Sequence, residues 1–173
     1  MGKIYYFLLM LFVNPVWAIT SDSNLDRDLL SAARQGQVER LQVLLALGAN
    51  ANAKNPQGRT ALMNAATLGN LSSMRMLIAA GAEVDARDNL EETALFVAVT
   101  RGDPRVVALL IDAGADVNAK NARGQTALVL ANRSGYRDIA KVLADAGAVE
   151  EEIKKKEEKE KKEKEERELS LIH

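Results

Sequence analysis

The sequence predicts an all-α solenoid of stacked 33-residue units, and four sets of phased residues predict it. Thr60, Thr93 and Thr126 stand 33 residues apart. Gly36, Gly69, Gly102 and Gly135 keep the same step, as do Gly48, Gly81, Gly114 and Gly147, and as do Leu29, Leu62, Leu95 and Leu128. A period of this size describes one supersecondary unit that cannot bury its apolar face alone and therefore stacks on copies of itself.

Residues 1–18, MGKIYYFLLMLFVNPVWA, come first. Lys3, an apolar run from Ile4 to Val13, Pro15, and Val16 and Ala18 around Trp17 form a secretory signal pattern, with cleavage expected after Ala18. The run is ten residues, short of the ~20 that a bilayer requires, so an uncleaved anchor is the lesser reading. The chain has no cysteine, which removes a lipoprotein anchor and leaves the stack to hold by burial without disulfides. Tyr6 stands where myristoylation wants Ser or Thr. Asn70-Leu71-Ser72 and Asn132-Arg133-Ser134 are glycosylation triplets. Asn132 shares the phase of Ala66 and is expected near the packed interior, where a glycan would damage the stack. The periplasm of a Gram-negative bacterium is therefore the expected location.

A helix pair over residues 22–54 precedes three repeats, 55–87, 88–120 and 121–148. Within a repeat, Thr60 is an N-cap residue and Leu62, Ala65 and Ala66 share one helical face. Gly69, Gly102 and Gly135 stop the first helices. The second helix of the middle repeat starts at Asp103-Pro104, a capping acceptor and a proline preset for the first turn. It carries Val106, Val107, Leu109, Leu110 and Ile111 and ends before Gly114. The stretches that remain, such as GADVNAKNARGQT, are rich in Asn, Asp, Gly and Ala and read as projecting turns.

Helix, turn, helix and projecting finger, with GADVNAKN.RGQTAL..A...G, resemble the ankyrin repeat, and the pair over 22–54 resembles an N-terminal capping repeat. The family's opening Thr-Pro-Leu-His is altered: Ala61, Ala94 and Ala127 replace the proline, and Met63, Phe96 and Val129 replace the histidine. Apolar packing is expected to take over the histidine's link between repeats. Glu91 stands where the family has a turn glycine, which leaves the geometry of that finger open. The resemblance implies a concave strip of finger tips and first helices that binds other proteins.

After Ala148 the composition changes to a Glu/Lys-rich tail, residues 149–173. Ten acidic and eight basic residues lie between Glu150 and Glu168. Several Glu-to-Lys i, i+4 pairs favour a solvated helix or tail without a coiled-coil seam. Its expected role is to keep the exposed end of the stack soluble. The last repeat is expected to expose Ile139, Val142 or Leu143 unless the tail covers them.

The only histidine is His173, which removes the usual nucleophilic triads and zinc sets, and no phosphate loop occurs. No enzyme, cofactor, catalytic or metal site is expected. The repeat phase places Lys54, Arg59, Leu68, Arg87, Leu90, Arg101, Lys120, Arg123 and Arg133 on the concave strip as partner-binding residues. The strip is basic, whereas Glu39, Asp112, Asp138 and Asp145 fall on second helices. An acidic protein surface is the expected partner, met by a monomer with arginine anchors and apolar points at Leu68 and Leu90. Nucleic acid fits poorly, because the strip lacks stacking aromatics and the chain carries a net charge of -1. An immunity or inhibitor protein and an accessory factor of an envelope enzyme are the roles considered. The alternatives are a membrane-tethered adaptor with an uncleaved anchor and a secreted, host-directed effector.

Overall fold

The computed structural model describes residues 22–149. The signal pattern and the charged tail from Glu150 onward lie outside the described residues. Among those described, the chain forms eight helices in four pairs: α1 (Asp22–Gln35) with α2 (Val38–Ala46), α3 (Ala61–Leu68) with α4 (Leu71–Ala79), α5 (Ala94–Arg101) with α6 (Pro104–Asp112), and α7 (Ala127–Ser134) with α8 (Arg137–Asp145). None of them is long and apolar enough to cross a membrane.

First helices stack on first helices, α1 on α3, α3 on α5 and α5 on α7. An inner first helix is therefore covered on both sides. All six residues from Ala61 to Ala66 are buried, and all six from Ala94 to Val99. The phased leucines Leu29, Leu62, Leu95 and Leu128 sit in this core, each worth about 1.5–3 kcal/mol when fully withdrawn from water. Met63 and Phe96, in the place of the histidine, are 1% exposed, as apolar packing requires.

Local chemistry sets the boundaries. Thr60 Oγ1 accepts from Met63 N–H at 3.3 Å and Thr126 Oγ1 from Val129 N–H at 3.4 Å. Thr93 has the same extended backbone, yet its hydroxyl is buried without a partner. Gly69, Gly102 and Gly135 adopt φ of 70°, 77° and 75°, the left-handed cap that glycine alone takes without strain. Asp103 caps α6, accepting from Arg105 N–H at 3.0 Å, with Pro104 in the first turn. The Arg105 guanidinium, hydrogen-bonded to Asp103, holds that carboxyl below its usual value.

Two expectations change at the C-terminal end. Asn132 is exposed, although Ala66 and Val99 at the same phase are fully buried. No further described repeat stacks on α7, so that register lies on an open face. Ile139 and Leu143 are buried, at 2% and 0% exposure, and Val142 is half-buried. Helix α8 turns its apolar side inward, against α6 and α7.

Repeats are also joined through polar side chains at the finger bases. Asn52 Nδ2 donates to Gly81 O at 3.1 Å while its Oδ1 accepts from Glu83 N–H at 2.7 Å. Asn118 repeats both bonds, with Gly147 O at 3.2 Å and Val149 N–H at 3.0 Å. Asp85, at the same phase, accepts from Asp116 N–H at 2.9 Å, but an ionised carboxylate has no N–H for the carbonyl of Gly114. Asp85→Asn is expected to raise stability by about 0.5–1.5 kcal/mol by adding the missing bond; an unchanged urea midpoint would show that the donation is worth nothing. Ser73 has a buried hydroxyl without a partner at the phase of Val106 and Ile139. Ser73→Ala should shift the same midpoint upward by relieving an unmet donor worth about 1 kcal/mol.

Candidate functional site

Each finger is shaped by one acceptor side chain. Asn55 Oδ1 accepts from the N–H groups of Gln57 and Arg59 at 3.0 and 2.9 Å. Asp88 Oδ1 does the same for Leu90 and Glu92 at 2.9 and 3.0 Å, and Asn121 Oδ1 for Arg123 and Gln125, both at 3.0 Å. The turn needs positive φ, which Gly58 and Gly124 supply at 77° and 71°. Glu91 adopts φ 58° and keeps the turn bond, its N–H donating to Asp88 O at 2.9 Å. The tip of the second finger is thus preserved without its glycine. Its base departs: Lys54 bridges Thr60 and Lys120 bridges Thr126, while among the described residues Arg87 and Thr93 form no such bridge.

Adjacent fingers are tied along their length. Asn89 N–H donates to Gln57 O and Ala122 N–H to Leu90 O, each at 3.0 Å. Lys54 Nζ donates to Arg87 O at 2.9 Å, and Arg87 Nη1 donates to Lys120 O at 3.0 Å. Arg87 also pairs with Glu91 at 3.2 Å, an exposed contact worth about 0–1 kcal/mol. Lys54 and Arg87, phased onto the strip by sequence, therefore connect one finger to the next.

The other predicted residues differ in their surroundings. Leu90 is 60% exposed at the second finger tip and Leu68 is 40% exposed at the end of α3. Lys120, Arg123 and Arg133 are exposed. Arg59 and Arg101 are brought together: with Thr67, Glu92, Val97 and Thr100 they line a groove of about 360 Å³ between the first and second repeats. Arg59 Nη2 donates to Thr67 Oγ1 at 3.0 Å, and Arg101 Nη1 donates to Thr67 O at 2.6 Å. Arg101 can lie there because Gly69 has no side chain; a Cβ on it would fall 2.7 Å from Arg101 Nε. Arg59 Nε is buried and unpaired, an unmet donor that costs about 1–3 kcal/mol. Val97, the apolar floor, escaped sequence reasoning because its phase holds Asn64 in the first repeat and Leu130 in the third, which leaves no repeating signal.

A family model for ankyrin repeats, in three copies, matches residues 29–121 and 84–156. The chain belongs to the ankyrin-repeat family. No curated protein matches the chain. Ankyrin repeats mark it as a protein–protein interaction module. In this ankyrin stack the finger glycines test how tightly the fingers are set. A Cβ on Gly58 would fall 2.9 Å from the backbone N of Asn89, whereas one on Gly124 meets nothing within 4 Å. Gly124→Ala is expected to cost about 1–2 kcal/mol from the left-handed backbone alone, and Gly58→Ala distinctly more. Equal urea midpoints for the two variants would show that neighbouring fingers adjust freely.

Proposed function

We propose that the chain is an exported, non-enzymatic binding module that docks a partner protein, as a monomer, on the concave strip. One observation carries this reading. Leu90 and Leu68 remain 60% and 40% exposed on a scaffold whose fingers are locked to one another by backbone and side-chain hydrogen bonds. Exposed leucines with arginines nearby in a fixed arrangement suit a partner that presents apolar contacts and acidic groups. A preformed surface also loses little conformational entropy on binding. Export rests on the N-terminal pattern MGKIYYFLLMLFVNPVWA; Asn132 is exposed, so its glycosylation triplet does not select the periplasm among exported compartments.

Arg59, Arg101, Arg123 and Arg133 are the proposed charged anchors. Lys54 and Arg87 shape the strip through the finger ties and add their charge to it, and Lys120 extends the row. The accessory or inhibitory role follows from whichever partner is held.

The test is affinity capture from envelope extract with the tagged full-length chain, beside the triple variant Leu68→Ser, Leu90→Ser, Arg123→Glu. The expected result is one envelope protein held by the parent chain, and at least tenfold less recovered with the variant. Equal recovery would move the site off the strip. The N-terminus of the purified chain is expected at Ile19; Met1 on membrane-bound chain would favour the tethered adaptor.

A further inference from the structure

We infer that the groove between the first two repeats receives a carboxylate side chain from an acidic segment of the partner, an inference that rests on the protein-docking reading above. Two guanidinium groups approach the groove from different elements, Arg59 from the base of the first finger and Arg101 from the end of α5. Glu92 is the one carboxylate in the lining, which keeps a net positive charge; Asp103, outside the lining, stands 3.9 Å from Arg101 Nε. Thr67 and Thr100 line the walls with hydroxyls whose hydrogen atoms are directed to Met63 O and Phe96 O, both at 2.9 Å. Val97 supplies the apolar floor.

The state of the arginines favours an incoming acceptor. Arg59 is held by Thr67 Oγ1 through Nη2, while its Nε–H is covered and has no partner. A guanidinium fork matches a carboxylate through two parallel N–H groups, and a single hydroxyl satisfies only one. A carboxylate entering the groove lets Arg59 turn from Thr67 and engage Nε and Nη together. Arg101 is fixed by its bond to Thr67 O and lies over Gly69, so it adds charge without having to be reoriented. One repeat further on, Glu92 and Ser134 stand in the phases of Arg59 and Arg101, and Gln125 in that of Glu92, so the next pair of repeats cannot reproduce the arrangement. One acidic anchor is therefore accepted at one place on the strip, which sets the partner's register.

Glu92 gives the assignment a direction. Facing the same groove, it opposes an incoming carboxylate, and its removal should tighten binding. The probe is the tripeptide acetyl-Gly-Glu-Gly-amide, beside acetyl-Gly-Gln-Gly-amide, titrated into the isotope-labelled chain while the amide resonances of Val97, Thr100 and Arg101 are followed. Saturable shifts with the glutamate peptide and none with the glutamine peptide are expected. Arg59→Gln should weaken binding about tenfold, Arg59→Lys nearly as much because lysine keeps the charge but has no fork, and Glu92→Gln should strengthen it severalfold. Unchanged resonances elsewhere check that the variants remain folded. The inference is overturned by no saturation, by equal response to both peptides, by Arg59→Lys binding as well as the parent chain, or by free acetate binding as tightly as the peptide. If the peptide fails while the captured partner is still lost on changing Leu68, Leu90 and Arg123, this groove is excluded and the docking strip stands.

Discussion

Every unit in this chain has two faces to bury and only its own copies to bury them against. That constraint explains why Ala61 to Ala66 and Ala94 to Val99 are buried residue by residue, where a surface helix would bury one stripe. The helices are short, eight residues for α3, α5 and α7, and isolated helices of that length are not stable in water. Packing supplies what propensity does not. The small residues Ala65, Ala66 and Ala98 allow close approach, and the larger Met63 and Phe96 fill the space at the phase where the family carries a histidine.

A one-dimensional stack has ends, and the ends obey different rules from the middle. At the start, α1 runs for 14 residues. Asp28 pairs with Arg40 at 3.2 Å, and Asp26 accepts from Asn50 N–H at 2.7 Å. The last bond stands in for the ladder that Asn52, Asp85 and Asn118 form further along. At the other end the residue that follows Ala66 and Val99 in phase is Asn132, polar and exposed. Tyr136 lies over Gly102, covering a helix end as Arg101 covers Gly69. The same glycine therefore serves twice, once by its left-handed backbone and once by the space above it.

Much of this was legible from the period alone. Caps, breaks and core leucines recur every 33 residues, so each was seen three or four times, and repetition makes a weak local signal decisive. What escaped the period was whatever depends on the neighbour of a repeat. Lys54 and Arg87 look like a row of free charges in sequence; their partners are backbone carbonyls one repeat further on, which no side-chain pattern reveals. Asn132 shares the phase of buried Ala66 and Val99, but burial there depends on a following repeat, and no further described repeat stacks on α7. Of Ile139, Val142 and Leu143, one or more of which an uncovered end would expose, only Val142 is half-buried, because α8 folds against α6 and α7. At Glu91 the family glycine is absent, yet Asp88 holds the turn through two backbone N–H groups, a compensation written in the acceptor and not in the missing glycine.

The division of labour between repetition and departure from it carries the functional argument. Residues that keep the period build the scaffold, because each must fit the same environment in every unit. Residues that break the period are free to differ, and the groove between the first two repeats is made of them. Arg59 and Glu92 occupy one phase with opposite charge; Arg101 stands where the units on either side carry Leu68 and Ser134. Thr67 and Thr100 share one phase, which Arg34 and Arg133 occupy in the end units, and they form the walls. A binding surface on a solenoid is thus assembled from the exceptions, positioned by the rule, and here the exceptions bring two guanidiniums and one carboxylate to a single apolar floor at Val97.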